Sequence, residues 1–139
     1  MVKGEDMKEM IYDRGASCVL DEGSFLGYDY VIISYGTHPC AYVRIPENHP
    51  LYEVDYVDYT SEYDVDCHGG ITYTNDGLYR NRPFIEKDGW WIGWDYNHID
   101  DYNATLASYD GFNWQDKKWT TDEICREVAR VCVQLRDME

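Results

Sequence analysis

The chain has 139 residues with 27 acidic and 12 basic side chains, so its formal net charge is −15. This charge argues against direct binding to nucleic acid or to an anionic membrane, because both are bound through Lys and Arg. An aromatic content of 16% argues against a disordered chain, and the length predicts a single domain over residues 1–139.

The cysteines and the N-terminus bear on the cellular compartment. The chain has five cysteines and no C-x-x-C pair, which argues against a disulfide framework or a zinc knuckle and favours buried thiols. Residues 1–10 are too polar for a signal peptide and are expected to be frayed or to form a short helical turn. No apolar run approaches the length of a membrane span. We therefore expect a soluble cytoplasmic protein.

The first third of the chain predicts strands separated by turns. A short strand is expected at 17–20, and the glycine-containing stretch 21–27 is typical of a turn. Residues 28–35 are rich in β-branched and aromatic side chains and predict a strand. After a turn at 36–39, residues 40–45 predict the next strand. Because the connection is short, these two strands should form an antiparallel hairpin.

The middle of the chain alternates between ambiguous and clear patterns. Residues 51–66 predict a long loop or an edge segment with one helical or extended turn. A strand is expected at 71–74, a turn at the NDG sequence of 75–77 and an irregular stretch over 78–88. Trp90–Trp94 then predicts a central strand whose rings lie in the core, and the polar residues that follow it predict a loop.

Asn103–Lys118 is expected to be irregular and held down by Phe112, Trp114 and Trp119, and a helix is predicted over about 120–136. Its start is a capping box, in which Thr120 and Glu123 each satisfy a free backbone N–H. An apolar stripe at helical spacing needs a sheet to pack against. The predicted fold class is therefore α+β: a mostly antiparallel sheet of about five strands with a C-terminal helix packed on one face. The stripe consists of Ile124, Val128, Val131, Cys132 and Leu135.

From Ile45 to Tyr79 the chain contains no Lys or Arg and is rich in acids and tyrosines. Where this tract is extended, acids two residues apart lie about 6.6 Å apart on one side. A row of such carboxylates would imitate a nucleic-acid backbone and bind a Lys/Arg-lined groove of another protein. The candidate partner-binding residues are Glu53, Asp55, Tyr56, Asp58, Tyr59, Glu62, Tyr63, Asp64 and Asp66.

Two other interpretations of the acidic tract stay open. The tract can be a solvated loop whose only effect is on solubility. It can also bind calcium, although the D-x-D-x-D-G pattern of a calcium loop is absent. Neutralising Asp55, Asp58, Glu62 and Asp64 together separates partner docking from both, since only docking predicts lost protein binding with an intact fold.

A second candidate site combines histidines and acids. His98 lies three residues from both Asp95 and Asp101, and His68 could join them in space. Two histidines and one carboxylate can hold a transition metal. None of these spacings is diagnostic of a metal motif, however, and loop histidines also hold turns by hydrogen-bonding to backbone. Metal binding and turn stabilisation are therefore both open.

A small-ligand pocket is a third possibility. Gly69 and Gly70 permit close backbone approach to the tryptophan strand, where Trp91 would stack on a nucleotide-like ligand. The alternative is that these aromatic side chains form the core. Further residues that would complete such a pocket are Tyr73 and Tyr96 for stacking and Arg44, Arg80 or Arg82 for neutralising an anion.

Signals for catalysis are weak. Cys67 and His68 are adjacent, so on an extended chain their side chains point in opposite directions. The G-x-S-x-G and P-loop motifs are absent from the sequence. The sequence therefore predicts no catalytic residue and no cofactor, and it favours a protein that is not an enzyme.

Four segments in this order carry a family resemblance: HPCAYVRIPENHPLY (38–52), CHGGITYT (67–74), WWIGWDYNHIDDY (90–102) and KKWTTDEI (117–124). Over about residues 28–136, the chain resembles a family of small uncharacterised proteins from phages and prophages of Gram-positive bacteria. The resemblance implies no catalytic residues. It implies a phage accessory protein, a class that includes inhibitors of host defence such as anti-CRISPR proteins.

The negative net charge, the Tyr-rich acidic tract and the phage-family resemblance together predict a phage-encoded, non-enzymatic inhibitor of a bacterial defence system. It would act in the host-cell cytoplasm. It would dock its acidic, Tyr-rich surface onto a basic nucleic-acid-binding groove, with a CRISPR effector as the expected class of partner. Two alternatives stay open. One is a protein that sequesters a nucleotide-like immune signal in a Trp/His pocket, and the other is a metal-dependent hydrolase that uses His68, Asp95 and His98.

Overall fold

The computed structural model describes residues 11–12, 16–98, 100–108 and 116–139, and these form five strands, a short helix and a long C-terminal helix. A single 3₁₀ turn, Tyr56–Asp58, interrupts the long connection between the third and fourth strands. The strands are β1 (Cys18–Phe25), β2 (Tyr28–Ser34), β3 (Pro39–Ile45), β4 (Tyr73–Asn81) and β5 (Phe84–Asp95), and the helices are α1 (Ala104–Ala107) and α2 (Thr121–Asp137).

The strands form one antiparallel sheet in the order β1-β2-β3-β5-β4. With α2 on one face, this confirms the predicted α+β fold. The predicted hairpin is present, since Ile32 of β2 pairs with Ala41 of β3. The tryptophan strand is interior as predicted, because β5 lies between β3 and β4 and Trp94 pairs with Ala41.

The predicted turn over 21–27 is wrong for most of its length. Asp21 to Phe25 continue β1, and the reversal is confined to Leu26 and Gly27. Both residues have positive φ, 53° and 86°, as a tight two-residue hairpin turn requires. The glycine at position 27 was a correct turn signal, but Gly23 lies inside the strand.

The prediction for residues 75–88 is also wrong. Instead of an NDG turn followed by an irregular stretch, these residues form most of the β4–β5 hairpin. Asn75 and Asp76 pair with Trp91 and Trp90, and Gly77 adopts φ 102° where the strand register shifts. Its positive φ therefore produces a bulge within the strand rather than a chain reversal.

Helix α2 is built as its sequence predicts. The side chain of Thr120 accepts a hydrogen bond from the backbone of Glu123, and Glu123 accepts one from the backbone of Thr120. All members of the apolar stripe are buried against β1, β2 and β3. Among the described residues, no helix is long and apolar enough to cross a membrane.

Side chains alternate between two hydrophobic clusters along the central strands. Ile92 and Trp94 belong to the cluster beneath α2, here called the first hydrophobic cluster. Trp91 belongs to the cluster on the opposite face of the sheet, here called the second hydrophobic cluster. Leu78 and Ile85, from the outer half of the β4–β5 hairpin, also belong to the second cluster. The hairpin reaches back over this face, where Arg80 donates a hydrogen bond to the hydroxyl of Tyr35.

The remaining predictions concern the stretch 103–118, the thiols and the tethering aromatics. The predicted irregular course is wrong at Ala104–Ala107, which form α1 because the side chain of Asn103 caps the turn. All five cysteines are free; three are buried, and Cys18 and Cys125 are half-buried. Trp119 packs against the first cluster, as expected of a tethering residue. Phe112, Trp114 and the segment 1–10 lie outside the described residues.

Candidate functional site

The His68–His98–Asp101 cluster forms where two loops meet at one end of the sheet. Since β4 and β5 are antiparallel neighbours, the residues before β4 and those after β5 lie together. The loop before β4 supplies His68, and the loop after β5 supplies His98 and Asp101. The structure therefore unites three of the four residues predicted for a metal site.

Asp101 is the centre of the cluster and is only 2% exposed. Its carboxylate lies 2.8 and 3.0 Å from His68 Nε2 and 3.0 Å from His98 Nδ1. The indole Nε1 of Trp119 donates to it at 2.8 Å, and the backbone N–H of His98 donates at 2.9 Å. These donors hold the carboxylate in one orientation.

The hydrogen bonds around Asp101 also set its ionisation. Burial by itself would raise the pKa of this carboxyl group. The hydrogen bonds from His68, His98 and Trp119 together outweigh burial and lower the pKa below its ordinary value. Asp101 is therefore a carboxylate at neutral pH.

His68 is held on several sides. Its ring stacks on Tyr96 with centroids 4.8 Å apart and an interplanar angle of 7°, and Trp119 lies 4.8 Å away at a tilt. Its backbone N–H donates to Glu127 on α2. These contacts fix the imidazole between the core and the surface, with 27% of the side chain exposed.

His98 lies directly against the backbone of Gly69. A Cβ atom at position 69 would lie 2.2 Å from Cε1 of His98, and Gly69 has φ +70°. Only glycine meets both conditions without strain. Gly70 also has positive φ, but a Cβ atom added at position 70 would have no neighbouring atom within 4 Å. The glycine pair thus brings the backbone close to His98 rather than to the tryptophan strand.

Asp95 borders the cluster. Its Oδ1 lies 3.7 Å from Nε2 of His98, on the opposite side of the ring from Asp101. Its Oδ2 accepts a hydrogen bond from the hydroxyl of Thr72. His98 therefore lies between two carboxylates, one on each ring nitrogen.

The structure does not bring Trp91 to the histidines. Trp91 is 2% exposed in the second cluster, and its indole N–H donates to the backbone of Asp88. It lines an open groove of about 580 Å³ together with Arg44. Arg80 instead lies over the rings of Tyr42 and Tyr73. The predicted Trp91–His98 pocket is therefore not formed.

Residues 53–66, here called the acidic segment, belong to a surface loop that is anchored by buried Leu51 just before the segment and by buried Val65 near its end. The loop is not a strand, so the predicted regular row of acids is confined to its end. There Asp64 and Asp66 are exposed on either side of buried Val65. The other exposed acids of the segment are Glu53, Asp55, Asp58 and Glu62.

The tyrosines of the acidic segment divide into two groups. Tyr59 and Tyr63 are half-buried and pack against the first hydrophobic cluster, so they anchor the loop to its own core. Tyr56 is exposed, and its neighbour Val57 is 72% exposed. Of the predicted tyrosine contacts for a partner, Tyr56 is the one most available at the surface.

Sequence reasoning missed two features of these candidate sites. Trp119 was expected only to tether the chain, but its indole also orients Asp101. Trp119 lies immediately before the helix cap, and nothing in the neighbouring sequence indicates that its indole contacts Asp101. Val57 was overlooked because a single valine among acids carries little weight, although its place on the 3₁₀ turn makes it prominent.

Comparisons with known proteins add no assignment. A scan of protein-family models, a search of curated proteins and a search of solved structures each found no match to this chain. The phage-family resemblance therefore stays a prediction.

Proposed function

We propose that this chain is a non-enzymatic binding protein that docks its acidic segment onto a Lys/Arg-lined groove of a nucleic-acid-binding protein and so inhibits it. In line with the phage-family resemblance, the expected partner belongs to a bacterial defence system, with a CRISPR effector as the first class to test. The observation that carries this proposal is the exposed Val57 between the exposed carboxylates of Asp55 and Asp58.

Electrostatic attraction supports the choice of partner. Among the residues that the structure describes, Asp66 is the only acid of the segment in an ion pair, with Arg130 at 3.0 Å. The other carboxylates of the segment are exposed to solvent. They add to a net charge of −15, which would steer the protein towards a basic surface and increase the association rate.

The exposed apolar atoms supply what charge alone does not. Rim charges contribute mainly to association rate, whereas buried aromatic and apolar anchors contribute most of the binding energy. Val57 and Tyr56 stand on the 3₁₀ turn, which the side chain of Asp55 caps by accepting from the N–H of Val57 at 3.1 Å. The turn thus presents an apolar contact surrounded by acids.

The first experiment is a pull-down from bacterial lysate with the purified, tagged protein, eluted in a sodium chloride gradient and read by mass spectrometry. We expect a basic nucleic-acid-binding protein that elutes at moderate salt and that added DNA displaces. Retention of no protein, or only of partners insensitive to salt and DNA, would contradict the proposal.

The second experiment locates the surface. The variant D55N/D58N/E62Q/D64N removes four charges, while the introduced amides keep an oxygen for the hydrogen bonds that Asp55 and Asp64 accept. Its control, E22Q/D29N/E86Q/D137N, removes the same charge from exposed acids elsewhere. We expect loss of partner binding only in the first variant. Equal binding by both variants would show that the acidic segment is not the docking surface.

A further inference from the structure

We propose that His68, His98 and Asp101 form a binding site for one divalent transition-metal ion, with zinc as the probe. This inference is independent of the docking proposal, because the cluster lies outside the acidic segment and needs no partner protein. It rests on the distances within the cluster, on the chemistry of its donors and on the way its surroundings orient them.

The distances fit a metal with small adjustments. One ligand atom from each of the three residues lies within 4.8 Å of the others. The imidazole nitrogens facing Asp101 are 2.8 to 3.0 Å from its oxygens. Zinc binds nitrogen and oxygen at about 2.0–2.2 Å, which places tetrahedral ligands about 3.3 Å apart. To admit the ion, the two Asp101–imidazole contacts would open by a few tenths of an ångström, and the two imidazole nitrogens, which lie within 4.8 Å of each other, would draw together.

The donor set suits a transition metal rather than calcium or magnesium. The two imidazoles are borderline donors of the kind that zinc, iron, copper and nickel bind, and two histidines with one carboxylate form a known transition-metal ligand set. Three protein ligands leave one or more coordination positions open to water. The side chains of His68 and His98 are 27% and 37% exposed, so solvent reaches the cluster.

Residues around the cluster would orient the ligands. Metal-binding histidines commonly donate their second ring N–H to a carboxylate. If His98 binds through Nδ1, its Nε2 carries the proton and lies 3.7 Å from Oδ1 of Asp95. Trp119 and the backbone of His98 donate to Asp101 and hold its carboxylate in place. Gly69 provides the space that His98 occupies.

The alternative is a purely hydrogen-bonded cluster, in which both imidazoles donate to Asp101 and no metal binds. The experiment uses the full chain without a polyhistidine tag, stripped with a chelator and then dialysed. Zinc sulfate is titrated by calorimetry, and cobalt(II) is added separately to follow its visible absorption. We expect saturation at one ion per chain and cobalt bands typical of low-coordinate nitrogen and oxygen ligation.

The variants separate this site from adventitious binding. His98→Ala should bind zinc at least about tenfold more weakly. Its control, His38→Ala, removes a histidine outside the cluster and should bind as the wild type does. Asp101 is buried, and its replacement can unfold the chain. The second test is therefore His68→Ala, which removes another proposed ligand and should also weaken zinc binding. Lack of saturable zinc binding by the wild type, or equal affinity in His98→Ala and His38→Ala, would overturn the proposal.

Discussion

Asp101 and Gly69 have the most specific roles among single residues, and they act on the same histidine. Asp101 holds His98 by a side-chain and a backbone hydrogen bond. Gly69 leaves room for the ring that Asp101 holds. A change at either residue should therefore affect the position of His98.

Gly69→Ala should destabilise the protein more than Gly70→Ala. Both positions have positive φ, at +70° and +79°, so either alanine is strained by about 1 kcal/mol or more. Only at position 69 does the new Cβ also collide with His98. Urea unfolding measures both free energies, and the difference between the variants isolates the collision. Equal destabilisation would mean that His98 moves aside without cost.

At the scale of elements, sequence patterns contained within one segment predicted the structure better than patterns whose outcome depends on pairing with another segment. Helix α2 was predicted nearly to its ends, because a capping box and a stripe of period 3.6 are contained within one segment. The β4–β5 hairpin was missed, because Asn75, Asp76 and Gly77 have the composition of a turn. Pairing with the tryptophan strand overrides that preference and converts the glycine into a bulge.

The cap of α2 should make stability depend on acid pH. Burial alone would raise the pKa of Glu123, but hydrogen bonds from Lys117 and Thr120 outweigh it and lower the pKa. The carboxylate therefore contributes stability that is present above its ordinary pKa of 4.5 and lost as the pH falls through the lower folded value. Wild type should lose more unfolding free energy than Glu123→Gln between about pH 5 and pH 3.

Unfolding in urea at a series of acid pH values measures this difference. The glutamine side chain retains the capping geometry, so the variant serves as its own structural control. Parallel pH profiles for wild type and Glu123→Gln would show that the charge of Glu123 contributes nothing to the cap.

At the scale of the whole molecule, the pKa values of the thiols reflect how far the packing of the helix on the sheet shields each cysteine from solvent. Burial raises the pKa of Cys40 and Cys67 to about 12 and that of Cys132 to about 11. For Cys125, burial and the hydrogen bond to Asp21 raise the pKa to about 12. Burial also raises the pKa of Cys18. The thiolate is therefore scarce at neutral pH throughout the fold.

The native protein should accordingly react slowly with iodoacetamide at pH 7.5, because the thiolate is the reactive form. Intact mass should show little alkylation of the native chain and five additions in urea, matching the five cysteines. Stability due to the buried thiols is complete below pH 9 and is lost as the pH rises towards 12. Rapid native alkylation of Cys40, Cys67 or Cys132 would contradict this burial.

The sequence by itself determined the charge, the central tryptophan strand, helix α2 and therefore the α+β class. Each depends on composition or on a pattern within one segment. Only the tertiary structure decided that His68 meets Asp101, 33 positions away, while Trp91 faces the other side of the sheet. It also decided that Tyr59 and Tyr63 face inwards while Val57 faces solvent. These outcomes depend on strand pairing and packing between distant segments, which local periodicity does not encode.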